Sequence, residues 1–440
     1  MLSNPGSSFF KNSFLFYVTR ITQVSLFLLA DVIIARLLGP SGKGVVAMVW
    51  LIPSFLSILF DMGIHKANVY FLNAETSRSV IGNSTFLALV TGGLLAALMW
   101  IFRPRIAAWF SLSGYELEIG IGSLLVPSTM LFSYFTYILL AQKRFLERNL
   151  ADLIFGCLFP FSAFSLIYIV RMGVLGGVLS RVIAISAGAF MGLWYVLKHT
   201  NSVLPSLDLP LLKRSLIYGI KSQFGVILQF FNYRVGIFFL NHFLQAGSVG
   251  IYTVAISIAE FLWLIPTSIG NVLFSTIKSE NEQRSVDFTC LVCRQTILLV
   301  ILASLLLVPV SRIIIPLFFG DQFVSAFKPL VVLLPGVILL SIHKVLIFAL
   351  IGKGFPQYMS HAAAIALIFT LSLNPIFIPL MGIEGAALAS SLAYAVCAFY
   401  TASRFKKFAG ITWSAFLMPC RKDFELYHGY IRRLFAARSL

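Results

Sequence analysis

Residues 295–318 read QTILLVILASLLLVPVSRIIIPLF, an apolar run in which Arg312 is the one ionisable side chain. A helix of about 20 such residues crosses the hydrocarbon of a bilayer, whereas a spanning β-strand needs only about ten residues of alternating polarity. The run is long and does not alternate, so it reads as a membrane-spanning helix. The rest of the chain has the same character: its 440 residues are 59% hydrophobic and 11% charged, with a mean hydropathy of +0.93. Soluble domains carry roughly 25% charged residues. One globular core cannot hide this much apolar surface, so lipid must solvate most of the protein.

Comparable runs predict spans at about 12–34, 45–64, 83–102, 119–141, 152–170, 173–197, 215–243, 248–276, 295–318, 328–351, 359–380 and 383–403. The tightest expected turns are Arg171-Met172-Gly173 and Met381-Gly382. The first run contains Arg20, lacks a small-residue cleavage site and continues to Leu38, so it reads as a span and not as a cleaved signal. The expectation is an all-α integral membrane protein of about 12 transmembrane helices.

The net charge of +17 sits in short loops and in the C-terminal tail, the pattern that orients membrane helices, and this argues against a nucleic-acid partner. With the N-terminus in the cytoplasm, the inside segments hold 21 Lys and Arg and the outside segments 7. Both termini are therefore expected inside. The five cysteines form no disulfide framework, and Cys290-x-x-Cys293 has neither a second pair nor a nearby histidine. No metal site and no cofactor are expected.

The chain also repeats itself. Gly382-Ile383-Glu384-Gly385-Ala386-Ala387-Leu388 follows the pattern of Gly173-Val174-Leu175-Gly176-Gly177-Val178-Leu179. The loop at Lys143 resembles that at Lys353, Gly44 corresponds to Gly250, and Pro127 to Pro335. An even number of spans separates the copies, so both insert with one orientation, as parallel repeats about an axis along the membrane normal. The resulting division is an N-terminal six-helix lobe at 1–200, a cytoplasmic inter-lobe linker at 201–214, a C-terminal six-helix lobe at 215–405 and a basic cytoplasmic tail at 406–440.

Ionisable groups at membrane depth are costly, by roughly 2.5–3.5 kcal/mol each, and call for a role. The cations are Arg20, Arg181, Lys221, Arg234 and Lys344; the carboxylates are Asp31, Asp61 and Glu260. Arg20, Arg181, Arg234 and Glu260 fall near mid-span, while Lys221 and Lys344 lie close enough to an end to snorkel. Arg20 and Asp31 are eleven residues apart, about three turns, and share a helix face with Gln23 nearby. The seventh span, repeat-equivalent to the first, carries Lys221, Gln223, Gln229, Asn232 and Arg234. Two readings stand: these groups line a cavity, or they pair with one another and fix packing. In the first, Arg20, Arg181, Arg234 and Lys221 suit an anionic substrate, since guanidinium groups bind phosphates in bidentate fashion. Asp31 and Glu260 are then candidates for ion coupling.

The turn Ala35-Arg36-Leu37-Leu38-Gly39-Pro40-Ser41-Gly42-Lys43-Gly44 and the segment Met381-Gly382-Ile383-Glu384-Gly385-Ala386-Ala387-Leu388-Ala389 resemble the polysaccharide transporter family of the multidrug/oligosaccharidyl-lipid/polysaccharide flippase superfamily. The resemblance covers nearly the whole chain through loose structural motifs. It implies two parallel six-helix lobes working by alternating access in the bacterial cytoplasmic membrane. The implied cargo is a polyprenyl-pyrophosphate-linked oligosaccharide for surface polysaccharide such as O-antigen, with membrane lipids, polysaccharide polymerase and chain-length machinery as partners. A multidrug and toxin exporter of the same superfamily is the nearest alternative, disfavoured by the excess of buried cations over acids. A membrane polysaccharide polymerase or glycosyltransferase is the enzymatic alternative. Glu116 and Glu118 in the outside loop stand without a nucleophile–base constellation, so no catalytic residue is expected.

Overall fold

The structure is a computed structural model that describes residues 5–73, 75–200, 206–277 and 281–418, with side chains from Val18 onward apart from that of Ser275. Part of the expected linker (201–205) and most of the expected tail (419–440) lie outside the described residues.

Every regular element among the described residues is helical. In chain order they are α1 (Pro5–Phe60), α2 (Ile64–Phe71), α3 (Ser77–Ile101), α4 (Arg103–Trp109), α5 (Glu116–Ala141), α6 (Phe145–Ile169) and α7 (Gly173–His199). The series continues with α8 (Leu209–Phe261), α9 (Leu264–Ile277), α10 (Glu282–Phe319), α11 (Asp321–Gly352), α12 (Gln357–Met381), α13 (Ile383–Ala409) and α14 (Ser414–Leu417). Among the described residues, 10 stretches are long and apolar enough to cross a membrane. Two of these, Val18–Phe60 and Leu209–Phe274, run to 43 and 66 residues, well beyond one crossing.

Helix α10 shows how such a sequence folds in lipid. The residues it buries within the protein include Thr296, Val300, Ser304 and Ser311, one small or polar side chain about every turn. Leu302, Leu305, Leu306 and Ile313 on the other side are 54–67% exposed. A water-soluble helix is arranged the other way round. In lipid, leucine gains nothing by turning inward, and small residues let helices approach closely.

Contacts divide the chain into two compact units, Met1–Val254 with Ile315–Ser325, and Ala255–Ile314 with Ala326–Leu440. In the first unit α6 packs along α7, with α1 on α6 and α5 on α7. In the second, α13 packs against both α11 and α12, while α9 and α10 lie on α11.

The repeat is visible in backbone conformation. The glycine-rich segment after Ala35, read from sequence as a turn between two spans, is helical on both sides of a break at Gly39 (φ 67°, ψ −177°). Its counterpart is Gln245 in α8 (φ 68°, ψ 175°). Five residues beyond each break lie Gly44 and Gly250, which pack backbone to backbone within the first unit. A Cβ on Gly44 would overlap the Ala246 carbonyl, and one on Gly250 would overlap that of Pro40. Gly173 and Gly382 both have positive φ (58° and 63°), and Gly176 and Gly385 each press on the backbone of the preceding helix. The loop after α5 and the loop after α11 also match. In each, two successive N–H groups reach back to successive carbonyls: Lys143 to Leu140 and Arg144 to Leu139 in one, Gly354 to Ile351 and Phe355 to Leu350 in the other. The structural equivalent of Lys143 is thus Gly354, one residue beyond the Lys353 that sequence similarity aligns with it.

Candidate functional site

The break at Gly39 governs the charge chemistry of the first unit. It carries the second half of α1 to where Lys43 Nζ meets Asp31 Oδ1 at 2.8 Å, with Lys43 3% exposed and the Asp31 side chain 20% exposed. A straight helix would hold residues 31 and 43 about 18 Å apart along its axis. Two turns further on, buried Trp50 presents its ring to Arg181 of α7, whose guanidinium carbon lies 4.8 Å from the ring centroid, a cation–π contact. Arg181 is also within electrostatic reach of Asp31 and of Arg234 on α8. Asp31, Lys43, Arg181 and Arg234 therefore share one neighbourhood, built from α1, α7 and α8 and walled by Trp50. Lys43, Arg181 and Arg234 are cations placed around the Asp31 carboxylate.

Arg20 belongs to a different group. Its Nη1 donates to Gln23 Oε1 at 2.8 Å, and Gln23 Nε2 reaches the backbone carbonyl of Asp152 on α6 at 3.5 Å. Arg20 and Arg148 both act electrostatically on the Asp152 carboxylate. Of the three residues expected on one face of α1, Gln23 is hydrogen-bonded to Arg20 and Asp31 meets Lys43. Lys221 is exposed on α8. Glu260 lies in the second unit, where it acts on Lys344, whose Nζ stands 4.9 Å from the Trp263 ring centroid. Beside Lys344, His343 and Thr401 are joined by a 2.8 Å hydrogen bond.

Lys43, Trp50 and Asp152 escaped the reading of the sequence. Lys43 stands in a segment of turn composition, and nothing local ties it to Asp31 across a backbone break. Asp152 sits at the margin of its span, although its i,i+4 spacing from Arg148 was a usable sign. Among the described residues, no group of His, Cys, Asp and Glu side chains is arranged to hold a metal ion.

Comparison with known proteins gives the class. A family described as polysaccharide biosynthesis protein matches residues 33–328, more than half of the chain. A protein of Haloferax volcanii named as a low-salt glycan biosynthesis flippase, Agl15, is 28% identical over 183 residues, which span 41% of this chain and 38% of that protein. The match thus takes in well under half of the Haloferax protein's length. A Shigella flexneri protein named as an O-antigen transporter is 24% identical over 82% of this chain and 88% of its own. Among solved structures, a multidrug resistance MATE transporter of the MOP superfamily in its inward-facing conformation superposes with a TM-score of 0.74, at 15% identity, over 90% of this chain and 98% of that one. The lipid II flippase MurJ in an inward closed conformation gives the same TM-score at 18% identity, over 90% and 87%. Fold and helices define a multi-pass membrane protein with the architecture of MOP-superfamily transporters. The chain belongs to the polysaccharide biosynthesis protein family.

Proposed function

We propose that the protein is a flippase that carries a polyprenyl-pyrophosphate-linked oligosaccharide across a bacterial cytoplasmic membrane by alternating access. The observation that carries this reading is the gathering of Lys43, Arg181 and Arg234 around Asp31 on helices long and apolar enough to cross a membrane. A pyrophosphate bears the opposite charge, and guanidinium groups bind its oxygens in pairs. Asp31 holds Lys43 directly, and Arg181 and Arg234 are the groups assigned to the cargo. Arg20 and Lys221 are secondary contacts along α1 and α8, and Asp31 and Glu260 are the groups that would couple transport to an ion. Counting each double-length helix as two crossings gives twelve, in two parallel sets of six with both termini in the cytoplasm. A cationic drug is a poor fit to the same charge balance.

The test is export in cells that depend on this chain for surface glycan. Arg181→Ala and Arg234→Ala should each abolish surface glycan while the protein remains in the membrane. Normal export from both variants would overturn the assignment.

A further inference from the structure

Helix α8 carries Val235, Phe238, Phe239 and His242 at i, i+3, i+4 and i+7, the spacing of a single helix face. These side chains line a cavity of about 250 Å³, together with Asn241 of the same helix and Trp109 and Phe110 at the end of α4. It is separate from the charged neighbourhood of Asp31, sharing none of its residues.

The walls are fixed from several directions. Beyond Phe110 the chain turns through Ser111 at φ 52°, a left-handed conformation uncommon for a residue with a Cβ. The Leu112 N–H closes that turn on the Ala107 carbonyl at 2.8 Å. The Phe238 ring stands 5.2 Å from the Phe110 ring and 4.9 Å from that of Phe55 on α1. Asn241 ties the two walls together, its Nδ2 donating to the Phe110 carbonyl.

Two observations point to an occupant. Trp109 lines the cavity and is 78% exposed, so most of its indole surface is open to a ligand. Asn241 is 1% exposed, and its Oδ1 has no hydrogen-bond partner among the described residues. A buried acceptor left in that state costs about 1–3 kcal/mol, which a ligand bearing a donor would offset.

The lining also sets the ligand's chemistry. Among the described residues, no Lys, Arg, Asp or Glu lines the cavity, so nothing there balances a charged ligand. A hydrocarbon chain would suit the aromatic walls but leave the Asn241 oxygen and the His242 imidazole without partners. A sugar ring offers both surfaces. Its C–H face suits the negative face of an aromatic ring, and its hydroxyls donate and accept hydrogen bonds. Pockets for drug-sized ligands run to roughly 300–1,000 Å³, so a cavity just below that range has room for about one ring.

We infer that the cavity between Trp109 and Asn241 is a binding site for one uncharged sugar ring, which lays a C–H face on the aromatic wall and hydroxyls at Asn241 and His242. The place of the site in transport rests on the flippase reading. Trp109 belongs to the same loop as Gly114, on the side expected to be outside, so the site would hold a sugar of the glycan as it leaves.

Saturation-transfer NMR on the full chain in nanodiscs of deuterated lipid tests binding without any lipid-linked cargo. The probes are the methyl glycosides of glucose, galactose, rhamnose and N-acetylglucosamine, each at ~50 mM, enough to populate a site with a millimolar Kd. At least one should receive saturation at its ring C–H protons. Trp109→Ala should weaken that binding about fivefold, the worth of one aromatic contact. Asn241→Leu should weaken it as well; if that variant does not fold, Trp109→Ala decides alone, since so exposed a side chain is dispensable to packing. Transfer to none of the four probes, or undiminished binding in Trp109→Ala, would overturn the inference. Binding lost in Trp109→Ala alongside normal export by Arg181→Ala and Arg234→Ala would uphold this site and overturn the flippase reading instead.

Discussion

Gly39 and Gln245 break their helices at the same backbone angles, φ 67° with ψ −177° and φ 68° with ψ 175°. That region is nearly closed to residues with a Cβ and costs of order 1–3 kcal/mol when one is forced into it. One repeat meets the demand with glycine, whereas the other bears the strain on Gln245. The partner breaks and glycines pack so closely that this strain is sustained by the surrounding structure.

Gln245→Gly should therefore stabilise the protein. Relief of strain exceeds the roughly 0.5–1 kcal/mol that glycine adds to unfolded-state entropy, leaving a gain of about 1 kcal/mol. Thermal unfolding in detergent should shift upward by a few degrees. An unchanged or lower midpoint would count against the comparison of the two breaks.

Gly44→Ala and Gly250→Ala should each destabilise by about 3 kcal/mol, the upper end for overpacking, because the obstacle is a carbonyl and not a side chain that can rotate away. Gly93→Ala is the control. Nothing lies within 4 Å of a Cβ there, so the change should be neutral or stabilising by helix propensity. Equal behaviour of the three variants in thermal unfolding would refute the packing argument.

Asp31→Asn leaves the buried Lys43 ammonium facing a neutral group. Breaking such a pair costs about 3 kcal/mol in a closed site, and about 2 is expected here because the Asp31 side chain is 20% exposed. Replacing Lys43 by Met in the same chain should recover most of the loss. A double-mutant cycle with no coupling would show that the contact carries no energy.

The distribution of lysine and arginine predicts a cytoplasmic C-terminus. A reporter fused after Leu440 should be active only in the form that reads cytoplasm, and one inserted at Gly114 should report the opposite side. Any other pattern would reverse the orientation.

The helices were legible because apolar runs as long as 295–318 have no other explanation. The repeat was legible through its glycines, together with Pro127 and Pro335 and the loops at Lys143 and Lys353. Gly44 and Gly250 pair in both sequence and structure, whereas the break at Gln245 was invisible because side-chain identity does not report the backbone angle imposed on it. The continuity of α1 through Gly39 was hidden for a related reason. Gly39-Pro40-Ser41-Gly42 has turn composition, yet proline is tolerated at the start of the helical segment that follows the break. The charged residues were identified by depth, but their partners were not. Asp31 reaches Lys43 only because of that break, and Asp61 reaches His65 across a bend that periodicity does not reveal.

The seam at Gly44 and Gly250 also limits how the chain can be repaired. A side-chain clash can be relieved by shrinking the neighbour, so its suppressors arise at the contacting position. At this seam the neighbour is the peptide backbone of Ala246 or Pro40, which no codon change removes. Revertants of Gly44→Ala should accordingly restore glycine itself or arise at distant, globally stabilising sites, and side-chain changes at residues 246 and 250 should be missing among them.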